Sequence, residues 1–68
     1  MLKIDRQKLD RLLSLSAMNY AELARKAELK PTTISNLTAG KTTPRPATVR
    51  KITGALNCTP ADILEEVE

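Results

Sequence analysis

Thr32, Thr33 and Asn36 fall on one side of the stretch from Lys30 to Lys41, KPTTISNLTAGK. All three carry short hydrogen-bonding side chains. Asparagine can pair with both polar groups of adenine, and threonine offers a hydroxyl to any base and a methyl to thymine. Lys30 and Lys41 bracket this face, where each could meet a phosphate, and Ser35 sits at its margin as a further phosphate candidate. Lys30 occupies a cap position that Ser or Thr would fill better by about 1 kcal/mol, and its charge opposes the helix dipole. A nearby phosphate would offset both costs. An ordinary polar surface helix would carry the same residues.

A face of this kind needs a helix to hold it. Pro31 has a fixed φ and no amide proton, which suits a first helical position. Ile34 and Leu37 lie three apart and point inward. Gly40 follows the last apolar residue, where helices commonly stop in the left-handed region. The stretch therefore predicts a short helix with one buried stripe and one face offered to a partner.

With 68 residues, the chain is expected to form a single domain over 1–68. A chain this short buries only about 60% of its unfolded surface, so its core is small. Cys58 is the only cysteine, read as a small buried hydrophobe, and there is no histidine. That excludes a disulfide framework, the usual zinc sites and histidine acid–base chemistry. No cofactor, metal, small-molecule substrate or enzymatic activity is expected. No apolar run has membrane-spanning length, and MLKIDRQKLD lacks a signal-peptide core. A reducing cytoplasm is the expected compartment, with no membrane partner.

The net charge of +3 is unevenly distributed. Residues 1–51 hold all 11 basic side chains and 4 acids, Asp5, Asp10, Glu22 and Glu28, for +7. Residues 52–68 hold only Asp62, Glu65, Glu66 and Glu68, for −4. A basic body suits a polyanion, with the acidic end facing elsewhere. Surface charge kept for solubility would look the same in composition.

Five helices and no strand are predicted. The first starts after the cap Asp5, carries Leu9, Leu12 and Leu13 inward, and ends near Ser16. Leu2 and Ile4 precede it and fold back on the core, whereas Leu15 is off the stripe. The second has the strongest start: Asn19 and Glu22 form a capping box, and Met18 and Leu23 a hydrophobic staple. Leu23, Ala24 and Ala27 form its inner face. Glu28 to Lys30 make a tight turn with Leu29 buried, so the second and third helices form a helix-turn-helix pattern. The fourth starts at Pro46, because Arg45 cannot comfortably be helical before a proline. Val49, Ile52 and Leu56 are its core face, Gly54 allows a close contact, and Asn57 is its left-handed stop. The fifth starts with Thr59, Pro60 and Asp62, with Cys58 and Ile63 as a second staple, Ile63 and Leu64 inward, and Glu65, Glu66 and Glu68 frayed.

With these helices placed, the chain resembles the phage Cro and lambda-type repressor family of helix-turn-helix regulators. Four pieces between about Leu9 and Leu64 carry the resemblance. They are Glu22-Leu23-Ala24; Thr33-Ile34-Ser35 with Leu37; Gly40-Lys41; and Pro44 with Thr48-Val49-Arg50-Lys51-Ile52, Ala55-Leu56 and Asp62-Ile63-Leu64. The ending ALNCTPADILEEV is similar to that of small stand-alone regulators of bacteria and mobile elements.

The resemblance implies an all-α, five-helix domain that binds double-stranded operator DNA as a homodimer, with the third helix in the major groove. It places base reading on Pro31, Thr32 and Asn36, and phosphate contacts on Asn19, Tyr20 and Lys41. Pro31 lacks a donor, so selectivity would lean on Thr32, Thr33 and Asn36. Arg45, in the loop before the fourth helix, is a further backbone-contact candidate. The family's dimer contacts commonly fall on the C-terminal helix and that loop.

The chain departs from the family pattern in places. Tyr20 stands where the family often has Gln, and Glu28 where it often has Gly. Leu13 and Thr38 replace a frequent Arg–Glu pair, an exchange that packing can make without loss. The expected function is a sequence-specific transcriptional regulator, a repressor on an inverted repeat. The rival is a protein-interaction module, such as an antitoxin or an antagonist of a larger regulator, favoured by Leu15 and the acidic end.

Overall fold

A computed structural model describes residues 2–67 of the chain. In order they form β1 (Leu2–Ile4), α1 (Arg6–Leu15), α2 (Tyr20–Lys26), α3 (Pro31–Thr38), α4 (Pro46–Leu56), a single 3-10 turn (Pro60–Asp62) and β2 (Leu64–Glu66). The helix starts follow the caps. Asp5 accepts the amides of Gln7 and Lys8 at 3.0 and 3.2 Å. Asn19 accepts the Glu22 amide at 2.8 Å, and Glu22 accepts the Asn19 amide at 3.2 Å. Pro31 and Pro46 are the first residues of α3 and α4.

The all-α, five-helix expectation needs correction. There are four α-helices among the described residues, and the expected fifth is one 3-10 turn. Its start signal is real: the Asp62 carboxylate accepts the amide and the hydroxyl of Thr59 at 2.9 and 3.0 Å. The turn stops because Ile63 leaves the helical region, at φ −128°. The chain then pairs with its own beginning. Strands β1 and β2 are antiparallel, with Leu2 opposite Glu66, Lys3 opposite Glu65 and Ile4 opposite Leu64. Glu65 and Glu66, expected to fray, thus lie in a strand, and Glu68 lies outside the described residues. The pairing is extended by the Asp5 amide, which donates to the Ile63 carbonyl at 2.7 Å. Lys8 Nζ donates to the carbonyls of Ala61 and Leu64 at 3.4 and 3.2 Å, tying α1 to the same segment.

Leu9, Leu23, Ile34, Ile52 and Ile63 are fully buried, one from each α-helix and one from the C-terminal segment. Each such side chain contributes about 1.5–3 kcal/mol, which lets a small domain hold without a crosslink. Around them pack Ile4, Leu13, Ala24, Ala27, Leu37, Val49, Ala55 and Leu56. Leu12 and Leu29, expected inside, are half-buried at the edge of this core. Cys58 is also half-buried, with burial pushing its thiol pKa up. Among the described residues Thr53 is the buried polar one, and its hydroxyl donates back to the Val49 and Arg50 carbonyls at 3.0 and 3.2 Å. Gly54 does not serve a close contact: a Cβ there would meet nothing within 4 Å.

All four α-helices end through a left-handed residue: Ala17 (φ 52°), Glu28 (58°), Gly40 (74°) and Asn57 (54°). The next amide then turns back onto the helix. Met18 donates to Leu13 at 2.9 Å, Leu29 to Ala24 at 2.8 Å, Lys41 to Asn36 at 2.9 Å and Cys58 to Thr53 at 3.0 Å. These bonds satisfy carbonyls the helices would otherwise leave open. Gly40 and Asn57 are the stops the sequence marks; Ala17 carries no such mark.

Candidate nucleic-acid interface

Helix α3 is anchored by Ile34 and Leu37 and turns its other sides outward. Thr32 and Ser35 are exposed, while Thr33 and Asn36 are half-buried. Helical spacing alone placed Thr33 and Asn36 on the open side, but neighbouring elements cover part of each. Thr33 lines an open groove of about 720 Å³ together with Thr42, Thr43, Arg45 and Thr48. The three loop and α4 threonines had no sequence signal, because the groove exists only once the loop lies beside α3.

Two cations sit at helix starts. Lys30 caps α3 and Arg45 caps α4, and neither helix has a side-chain cap bond. Both side chains are exposed. The first-turn amides are therefore not answered by a side-chain acceptor, and each basic cap adds charge of the same sign as the dipole end. Such ends favour an anion. Lys41 is exposed just beyond Gly40. Lys3, not singled out in the sequence, reaches the same place: its Nζ lies 3.9 Å from where a Cβ on Gly40 would be.

At the start of α2 the expected residues divide. Asn19 is exposed, and its side-chain oxygen is taken by the cap. Its side-chain NH₂ keeps its donors for an outside group. Tyr20 is half-buried, and its hydroxyl donates to Oδ1 of Asp10 on α1. Arg6 Nε stands 3.7 Å from the other oxygen of that carboxylate. Burial first, then Asp10, raises the phenol pKa, so at neutral pH Tyr20 is a proton donor committed to α1. Leu13 is buried and the Thr38 hydroxyl donates to the Ser35 carbonyl at 3.1 Å, so each satisfies itself without an ion pair between them.

The model of the Cro/C1-type HTH DNA-binding domain matches residues 8–68. The chain belongs to that family. A Cro/C1-type domain is a DNA-binding, helix-turn-helix unit of transcription regulation, which agrees with the basic caps and polar face around α3. No curated protein sequence matches the chain. The Cro/C1-type match begins within α1 and runs through the 3-10 turn and β2. Among the described residues, no helix of this Cro/C1-type domain is long and apolar enough to cross a membrane.

Proposed function

We propose that the chain acts as a single domain over residues 1–68, a sequence-specific repressor of transcription in the cytoplasm. Helices α2 and α3, with the turn between them, form the helix-turn-helix, and α3 enters the major groove. Thr32, Thr33 and Asn36 read bases. Asn19, Lys30, Ser35, Lys41 and Arg45 hold the phosphates that set register. Tyr20 could join them only by releasing Asp10. The observation that carries this reading is the polar side of α3, flanked by the exposed cations Lys30, Lys41 and Arg45.

The domain works as a homodimer on an inverted repeat. A mostly apolar groove of about 500 Å³, lined by Leu2, Pro44, Pro46, Val49, Pro60 and Leu64, supports a self-contact there. Leu2 remains 47% exposed, as a residue that completes an interface would. Two α3 helices would then meet successive major grooves about 34 Å apart.

Selection of bound sites from a random duplex library, at near-physiological salt, tests this. Enrichment of an inverted repeat with half-sites about one helical turn apart is expected. Thr32→Ala and Asn36→Ala should relax the choice of base at their positions, at about 1–3 kcal/mol of discrimination for Asn36. Enrichment of a lone half-site would remove the dimer. No enrichment would favour the second reading, a protein-interaction module, for which Leu15 is the specific observation: it is 75% exposed at the end of α1.

A further inference from the structure

Two lysines lie at the N-terminal side of the fold and have different fates. Lys8 donates to two backbone carbonyls and so holds the C-terminal segment in place. Lys3 does not act this way. It stands on β1 directly opposite Glu65 in the ladder, where a cross-strand ion pair would be easy to form. Among the described residues, however, its ammonium makes no ion pair or hydrogen bond. The side chain instead runs to the end of α3, with Nζ 3.9 Å from the Cβ position of Gly40.

A helix-capping role does not account for it. Three closing carbonyls of α3 already have donors, and Lys3 makes no hydrogen bond to any of them: Asn36 takes the Lys41 amide, Leu37 the Gly40 amide, and Ser35 the Ala39 amide and the Thr38 hydroxyl. The ammonium thus stands at the exit of α3, where Lys41 follows Gly40 in the chain, with its charge unmatched among the described residues. Glycine at position 40 has no side chain to shield it. A cation without a protein partner at this exit is available to a polyanion, whose phosphates would match it and release counterions.

We propose that Lys3 is a phosphate-contacting residue, delivered by β1 to the exit of α3, where it and Lys41 engage the DNA backbone together. This rests on the DNA-reading function above and adds a strand-borne contact that the helix-turn-helix alone does not contain. The contact is to charge, so it strengthens binding to any duplex and reads no base.

The test compares the full chain with Lys3→Met, which keeps an apolar stem, and Lys3→Arg, which keeps the charge. Affinity is measured across a salt series for the library-selected site and for an unrelated duplex, with thermal midpoints alongside. Lys3→Met should weaken both duplexes by the same factor, lower the slope of log K against log salt by about 1, and leave the thermal midpoint in place. Lys3→Arg should restore the slope. An unchanged slope in Lys3→Met overturns the proposal, and a lowered midpoint with an unchanged slope makes the lysine structural. If the wild-type chain selects no site and binds duplexes with no salt dependence, the DNA-reading function falls and this proposal with it. A wild type that binds with normal salt dependence while Lys3→Met behaves identically removes Lys3 alone.

Discussion

The amide of Leu29 donates to the carbonyl of Ala24 at 2.8 Å, closing the end of α2. That bond requires the residue between helix and turn to be left-handed, and the residue there is Glu28, at φ 58°. Ala17 carries the same burden at the end of α1, at φ 52°. A side chain in this region costs about 1–2 kcal/mol, and glycine recovers part of that despite its entropy. Glu28→Gly and Ala17→Gly should each raise stability by about 1 kcal/mol, read from denaturant midpoints. The sites are on different turns and share no partner, so the double variant should show the sum.

The two glycines should respond in opposite senses. Gly54 is helical, exposed and faces open space, so Gly54→Ala should stabilise by about 1 kcal/mol. Gly40 is left-handed at φ 74°, so Gly40→Ala should destabilise by a similar amount. Urea unfolding of the pair measures both signs at once.

Lys30→Ser should separate stability from binding. Serine can cap the first turn of α3 and removes a charge that opposes the dipole, so the fold should gain about 1 kcal/mol. DNA binding should weaken for all sequences alike, with a salt slope smaller by about 1. Thermal melts and salt titrations of one preparation give both values.

Tyr20→Phe removes the donor to Asp10 and leaves a half-buried carboxylate with Arg6 beside it. A loss of about 1.5–3 kcal/mol in stability is expected for a hydrogen bond to a charged group. Asp10→Asn keeps an acceptor and should lose less. Equilibrium denaturation of the three chains decides this.

Asp62 gives the fold an acid-sensitive element. The Thr59 amide, then its hydroxyl, hold the carboxyl below its ordinary value, and Lys8 adds to this. A depressed folded-state pKa stabilises above the unfolded value near about 4, and that contribution is lost as pH falls through the folded value. Asp62→Asn should therefore lower the melting temperature at neutral pH, with the gap from wild type closing in acid. Melting curves taken from neutral to acid pH show it.

What the sequence made legible was whatever acts over a few residues. Asn19 with Glu22, Thr59 with Asp62, and Pro46 after Arg45 are local statements, and each holds in the structure. The inward stripes of α2, α3 and α4 followed from period alone. The strands were not legible, because β1 and β2 are three residues each and too short to alternate visibly. Their partners are at opposite ends of the chain, so no local window contains the pairing. The bond of Tyr20 to Asp10, the reach of Lys3 to Gly40 and the threonine groove beside α3 fail to show for the same reason. Ala17 as a left-handed stop carries no marker, since alanine is an ordinary helical residue. At the candidate interface, the exposure of Thr32, Ser35, Lys30 and Lys41 agreed with helical position, whereas the half-burial of Thr33 and Asn36 depends on elements that arrive later in the chain.

The pairing of Leu2–Ile4 with Leu64–Glu66 has a bearing on how the protein is made. A ribosome makes β1 before any of the four helices and β2 after all of them. Until then Ile4 has no ladder to join, and Lys8 and the Asp5 amide have no carbonyls to hold. Helices α1 to α4 can form as they emerge, but the seam that locks them closes only after residue 66 has left the exit tunnel. The nascent chain should therefore stay sensitive to protease until that moment and become resistant in one step.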